Sequence, residues 1–183
     1  LSLQAPLPPV VPPPAPPPPL VPAEPEVDVA KLRERALRQG PEAVIPDLES
    51  RLRQTEEPGA ALGFLLGSLL EKGGDRLRAA QLLWQTAKSY PGHPDAPRAL
   101  RRSADIFNQL GFHYEAHKPL QGFLRFYSRH PDRAEVQLEL GRSYALARAF
   151  GDAREELIPL VYDQPGALGD KARLWLAYLL MQE

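Results

Sequence analysis

Asp132–Gly166, DRAEVQLELGRSYALARAFGDAREELIPLVYDQPG, carries two apolar stripes of helical period in succession. Val136, Leu140, Tyr144 and Ala147 recur at steps of three and four, so a helix brings them to one face. Gly141, beside Leu140, leaves room for a neighbouring helix to come close. Ala153, Leu157, Leu160 and Val161 form the second stripe. The spacing predicts two helices of about a dozen residues, joined at Phe150-Gly151-Asp152 and closed by Gln164-Pro165-Gly166. Pro165 lacks the N–H that another helical turn would need.

A single hairpin of this kind cannot bury its own apolar stripe, so neighbours of the same pattern are required. Working outward, the chain supplies them. Ala96 to Leu110 and Tyr114 to His130 carry Leu100, Ala104, Phe107, Ala116, Leu120, Phe123, Leu124 and Tyr127, with Gly111 between the two helices. Ala61 to Lys72 and Arg78 to Tyr90 carry Leu62, Leu65, Leu66, Leu69, Leu70, Ala80, Leu83, Trp84 and Ala87 around a Gly73-Gly74-Asp75 turn. A more divergent pair comes first, with Val29, Leu32, Ala36 and Leu37 on one helix. Its second helix runs from Pro41 to about Arg53 and buries Val44, Ile45, Leu48 and Leu52. The pairs therefore lie near 28–58, 60–91, 96–131 and 133–165, and a last helix near 170–183 has Leu176, Ala177 and Leu180 in register. That helix either caps the array or has lost its partner. Pro58, Pro91, Pro131 and Pro165 close the pairs at intervals of 33, 40 and 34, the long interval being assigned to the Gly92–Asp95 loop and a longer second helix.

The series Leu140-Gly141, Tyr144, Phe150, Ala153, Leu157 and Pro165 resembles the tetratricopeptide repeat signature. The resemblance covers 26–183 and implies an all-α, right-handed superhelix of antiparallel helix pairs. Ser89-Tyr90-Pro91-Gly92-His93-Pro94 and Phe126-Tyr127-Ser128-Arg129-His130-Pro131 are similar to repeat ends in three kinds of bacterial envelope protein. These are the outer-membrane assembly lipoprotein, the periplasmic cell-division coordinator and the N-terminal domain of peptidoglycan-synthase activators. The resemblance implies a non-enzymatic scaffold for protein or peptide partners at the periplasmic or outer-membrane side. Two alternatives accompany it: the N-terminal regulatory domain of a longer cell-wall-synthase activator lipoprotein, and an accessory domain of a helical metal-dependent hydrolase or lytic enzyme.

Composition narrows these options. The 183 residues suffice for one domain and a tail. A net charge of −1 argues against bulk nucleic-acid affinity. No apolar run reaches the roughly 20 residues of a membrane-spanning helix. Without cysteine there is no disulfide, thiolate nucleophile or sulfur-ligated zinc. The chain begins at Leu1 rather than methionine, as expected of a fragment or a processed form. Residues 1–25 hold 12 of the 22 prolines. That composition predicts a polyproline spacer of up to ~80 Å, with a groove-binding ligand as the alternative.

Chemistry is sparse. His113 and His117 stand four apart, but Glu115 is not where a His-Glu-x-x-His zinc site requires it, so surface and packing roles are expected and no metal or cofactor. Trp84 and Trp175 lie on apolar stripes and read as core. The resemblance places Phe64, Ser68, Lys72, Arg98, Arg101, Asp105, Asn108, Glu135, Leu138, Arg142, Leu146, Lys171, Leu174 and Tyr178 on the concave side. Five of these are basic and two acidic. Such a groove suits an extended peptide bearing carboxylates, because guanidinium groups pair with carboxylates in a bidentate fashion.

Overall fold

The computed structural model describes residues 29–54, 59–164 and 166–182. Residues 1–25, Pro58 and Pro165 lie outside them. In chain order the helices are α1 (Val29–Gln39), α2 (Ile45–Gln54), α3 (Ala60–Lys72), α4 (Arg76–Ser89), α5 (Ala96–Gln109), α6 (His113–Phe126), α7 (Arg133–Leu146), α8 (Phe150–Asp163) and α9 (Ala167–Gln182). From α3 onward each helix packs mainly on its neighbours in sequence, whereas α1 lies on the Pro41–Ala43 segment and on α3; the result is an all-α, tetratricopeptide-like helical array, and no strand occurs among the described residues.

The small residues set how closely the helices approach. A Cβ on Gly141 of α7 would meet the Leu157 side chain of α8 at 2.7 Å. Glycine therefore lets the leucine sit directly on the α7 backbone. Gly67 of α3 plays the same part against Leu83 of α4, also at 2.7 Å. Leu157 is fully buried there, and Leu140, Leu120, Phe123 and Leu100 are exposed by no more than about 1%. One buried cluster runs from α1 to α7, and a second joins α7, α8 and α9.

Four expectations need correction. First, Phe150, Gly151 and Asp152 are the opening turn of α8, and the chain reverses earlier, at Ala147-Arg148-Ala149. There Arg148 N–H bonds the Ala145 carbonyl and Ala149 N–H the Tyr144 carbonyl, with Arg148 at φ 61°. Second, Pro41–Ala43 is a short 3₁₀ turn rather than the start of α2. Pro46 has no N–H to offer the Glu42 carbonyl, so the α-helical ladder begins only with Leu48 N–H on the Val44 carbonyl. Third, α6 is no longer than the second helices on either side of it, since α4, α6 and α8 each have 14 residues. The prolines that closed the 40-residue interval are not equivalent: Pro131 follows His130 as Pro94 follows His93, and those two lie 37 apart. Fourth, Leu37 and Leu180, assigned to apolar faces, are 80% and 71% exposed.

The loops Tyr90–Asp95 and Tyr127–Asp132 are built alike. In each, the histidine N–H bonds the tyrosine carbonyl, and the histidine Nδ1 accepts from the aspartate N–H two residues on, at 3.1 Å. The His93 ring lies against Phe64 and the His130 ring against Phe123. These histidines are loop residues with a structural task.

Candidate functional site

Repetition places the first helix of each pair beside the first helix of the next, and depressions form between them. One, of about 740 Å³, lies between α5 and α7. A second, of about 620 Å³, lies between α3 and α5. Arg98 borders both, so they form one continuous face.

Of the residues expected from sequence, Arg98, Arg101, Asp105, Asn108, Arg142 and Leu146 line the first depression, and Phe64, Ser68 and Lys72 the second. Phe64 is a core residue, 4% exposed, so it offers a partner only an edge. Leu138, Lys171 and Tyr178 line neither depression. Leu138 and Tyr178 pack on the last apolar cluster, and Lys171 is exposed on α9.

The charges in the groove divide into those already held and those left over. Arg101 reaches Asp132 at 2.6 Å, Glu139 at 2.8 Å and Glu135 at 3.3 Å. Burial works against its charge, but the bonds to Glu139 and Asp132 outweigh it and hold its pKa above the ordinary arginine value. Arg102 bridges Glu71 of α3 and Asp105. These two arginines therefore tie successive pairs together rather than awaiting a ligand. The bordering residues are six Lys/Arg and five Asp/Glu, so the five-to-two excess expected from sequence shrinks. What remains is the pairing: the acidic members Glu71, Asp105, Asp132 and Glu139 all face an arginine, and Asp95 stands 3.9 Å from His93. Arg33, Lys72, Arg98 and Arg142 have no carboxylate partner among the described residues. Arg142 instead lies 5.7 Å over the Trp175 ring, which meets Tyr178 edge-on.

A polar knot closes the floor. Asn108 Oδ1 is 3.0 Å from both His113 Nδ1 and Ser143 Oγ, and Ser143 Oγ also lies 2.9 Å from the His113 carbonyl oxygen. Asn108 is thereby engaged in joining α5, α6 and α7. His117 is 5% exposed between Tyr114 and Tyr144, and its Nε2 has no partner. Burial pushes its pKa down, against a smaller opposing effect of the Ser143 backbone. The His113–His117 spacing therefore serves packing. No group of three His, Cys, Asp or Glu is arranged to hold a metal among the described residues.

Sequence reasoning missed Arg102, Glu71, Glu139 and Asp132. Glu139 lies one helical turn from Glu135, a signal that was available. The Arg102–Glu71 pair joins residues 31 apart and has no local signature.

The sequence matches no protein-family model and no curated protein. Solved structures do match. A Podosopora anserina protein of kinesin-light-chain type with nearly identical TPR-like repeats is 19% identical, with a TM-score of 0.56 over 84% of this chain and 83% of that one. The MamA RS-1 ArsTM double mutant is 22% identical, with a TM-score of 0.57 over 85% of each chain. These likenesses identify the fold.

Proposed function

We propose that this chain is a non-enzymatic scaffold of the bacterial cell envelope whose groove between successive first helices holds an extended, carboxylate-bearing segment of a partner protein. The observation that carries the reading is the uneven pairing of the groove. Four of its five carboxylates, Glu71, Asp105, Asp132 and Glu139, are held by arginine, while Arg33, Lys72, Arg98 and Arg142 have no carboxylate partner among the described residues, so the face offers cations in need of a counter-charge. Arg98 and Arg142 stand on either side of the α5–α7 depression, a spacing suited to a strand-like ligand with acidic side chains. The envelope assignment is supported by the Tyr-x-x-His-Pro loop phrases, and the proline-rich residues 1–25 would act as a tether.

The test uses a fluorescein-labelled, Asp/Glu-containing extended peptide and its Asn/Gln counterpart in anisotropy titrations. The acidic form should bind at least about tenfold more tightly, the equivalent of roughly 1.4 kcal/mol. Arg98→Ala with Arg142→Ala should remove that preference while the circular dichroism spectrum stays helical. Equal binding of both peptides, or an unaffected double variant, would refute the groove reading. Fractionation of cells expressing the full gene from its own start tests the envelope part, and a purely cytoplasmic product would contradict it.

A further inference from the structure

Helices α3, α5, α7 and α9 share one register. Leu62, Ala99, Val136 and Ala172 follow one another at steps of 37, 37 and 36 and are all buried, and so are Leu69, Ile106, Ser143 and Leu179. In that register Arg102 of α5, Glu139 of α7 and Trp175 of α9 are equivalent. Each faces back to the first helix before it. Arg102 holds Glu71 of α3, Glu139 holds Arg101 of α5, and the Trp175 ring lies 5.7 Å beneath the Arg142 guanidinium of α7. The interval between α7 and α9 is therefore the third along the face that bears the two depressions, and both its walls are in place.

Its chemistry departs from that of the interval before it. Between α5 and α7, Arg101 is engaged by Asp132, Glu135 and Glu139. Between α7 and α9, Leu138 stands at the position of Arg101, Lys171 at that of Glu135 and Trp175 at that of Glu139. An ion cluster thus gives way to apolar side chains: Leu138, Trp175 and Tyr178 pack on one buried cluster, and each is half-buried. They line neither depression, so the cationic trough runs into an apolar shelf. Arg142 belongs to both parts, lining the α5–α7 depression and lying over Trp175. Arg142 and Lys171 have no carboxylate partner among the described residues. Stacking on an aromatic ring engages only the face of a guanidinium and leaves its edge N–H groups for a carboxylate.

We infer that the acidic segment held by the groove carries a large apolar side chain, two residues from the carboxylate that pairs with Arg142, and lays it on the Leu138–Trp175–Tyr178 shelf. The inference rests on the groove reading and narrows its ligand from acidic to acidic and apolar in one phrase. The spacing follows from the extended chain, in which residues i and i+2 share a face about 7 Å apart. Trp175 has a second part as a positioning residue, since it fixes the Arg142 guanidinium with its edge toward the ligand. The shelf is continuous with the trough through Arg142, and its flanking charges are cations, so the segment that fits the one fits the other.

The test compares labelled acidic peptides that differ at one position, with Phe or Ser two residues from the last acidic residue, and a third with Phe one residue from it. Anisotropy titrations against the full chain should show the first binding about fivefold or more tightly than the second, from partial burial of one large apolar side chain. The third should resemble the Ser peptide, because its Phe points away. Leu138→Gln should erase the Phe advantage and keep the preference for acidic over amide peptides. A readout that needs no change on the shelf uses Trp84→Phe, which leaves Trp175 as the only tryptophan. Its emission should shift to the blue with the Phe peptide and far less with the Ser peptide. Equal binding of the Phe and Ser peptides, with the acidic preference intact, would overturn this inference and leave the groove reading standing. Loss of the acidic preference itself would overturn both. A Trp175 spectrum unmoved by the bound Phe peptide would also overturn the inference, as would a blue shift that grows with protein concentration alone, since a second copy would then occupy the shelf.

Discussion

The hairpins α5–α6 and α7–α8 reverse direction by the same hydrogen bonds and with different residues. In the first, Gly111 N–H bonds the Asn108 carbonyl and Phe112 N–H the Phe107 carbonyl, with Gly111 at φ 82°. In the second, Arg148 takes the glycine's place at φ 61°, and it is the one non-glycine residue with positive φ among those described. A left-handed conformation costs a residue with a side chain roughly 1–2 kcal/mol. Packing of Leu157 on Gly141 and burial of Ala153 evidently hold the second turn in place against that cost. The difference teaches that the pairing of the helices determines the turn, and a glycine there is an aid rather than a requirement.

The comparison can be broken most forcefully at the contact said to impose the turn. Gly141→Leu places a side chain where Leu157 already stands, and should cost about 1–3 kcal/mol or more in chemical unfolding. Gly151→Leu, with nothing within 4 Å of the added Cβ, is the matched control and should cost far less. Equal effects would show that the α7–α8 contact is not as described. Next in size is an exchange of the turns themselves. Gly111→Ala meets no atom within 4 Å, so its expected loss of about 1–2 kcal/mol is conformational alone. Arg148→Gly should instead gain up to about 1 kcal/mol, the relieved strain being partly offset by the freer unfolded chain. A destabilising Arg148→Gly would mean that the arginine side chain, not the backbone, secures that turn.

A smaller effect probes the seam between the two hairpins, where His117 of α6 lies against Tyr144 of α7. Its folded pKa is depressed, so the unfolded chain takes up the proton first, below its ordinary value of about 6.5. The resulting stabilisation is complete above that pH and is lost as pH falls through the folded pKa. Asp152, Glu115 and His113 are the charged or titratable groups acting on it. Melting temperatures between pH 7.5 and 5 should therefore fall more steeply for the wild type than for His117→Phe. Parallel curves would remove His117 from the account. The smallest change expected is Arg101→Gln, below about 1 kcal/mol because the cluster is partly solvated. It should nevertheless loosen the α5–α7 seam, read as faster amide exchange in the first turns of α7.

How much of this was legible follows from the range of the interactions. The helices and their faces show in the spacing of Leu140, Leu157, Leu120 and Phe107, because period and burial are local properties of a stripe. The α7–α8 turn was misplaced at Gly151 because the residue that takes the left-handed conformation is an arginine, and sequence reasoning looks there for glycine. The start of α2 was missed because the effect of Pro46 falls on a carbonyl four residues earlier. In the groove, residue types could be located, but their availability could not. Arg101 looked free in the sequence and is engaged by carboxylates 31 to 38 residues away. Arg98, with the same local pattern, remained without a partner among the described residues.

The Tyr127 hydroxyl gives the array a mechanical character. It donates to the Pro91 carbonyl at 2.5 Å, linking one histidine-pinned loop to the next. Burial pushes its pKa up to about 12, so it keeps its proton throughout the physiological range. The two connecting loops are thus strapped to each other at the rim of the groove, which Pro94, His130 and Asp132 help to line. Parting of successive pairs would therefore have to break this bond together with the Arg101 and Arg102 ties.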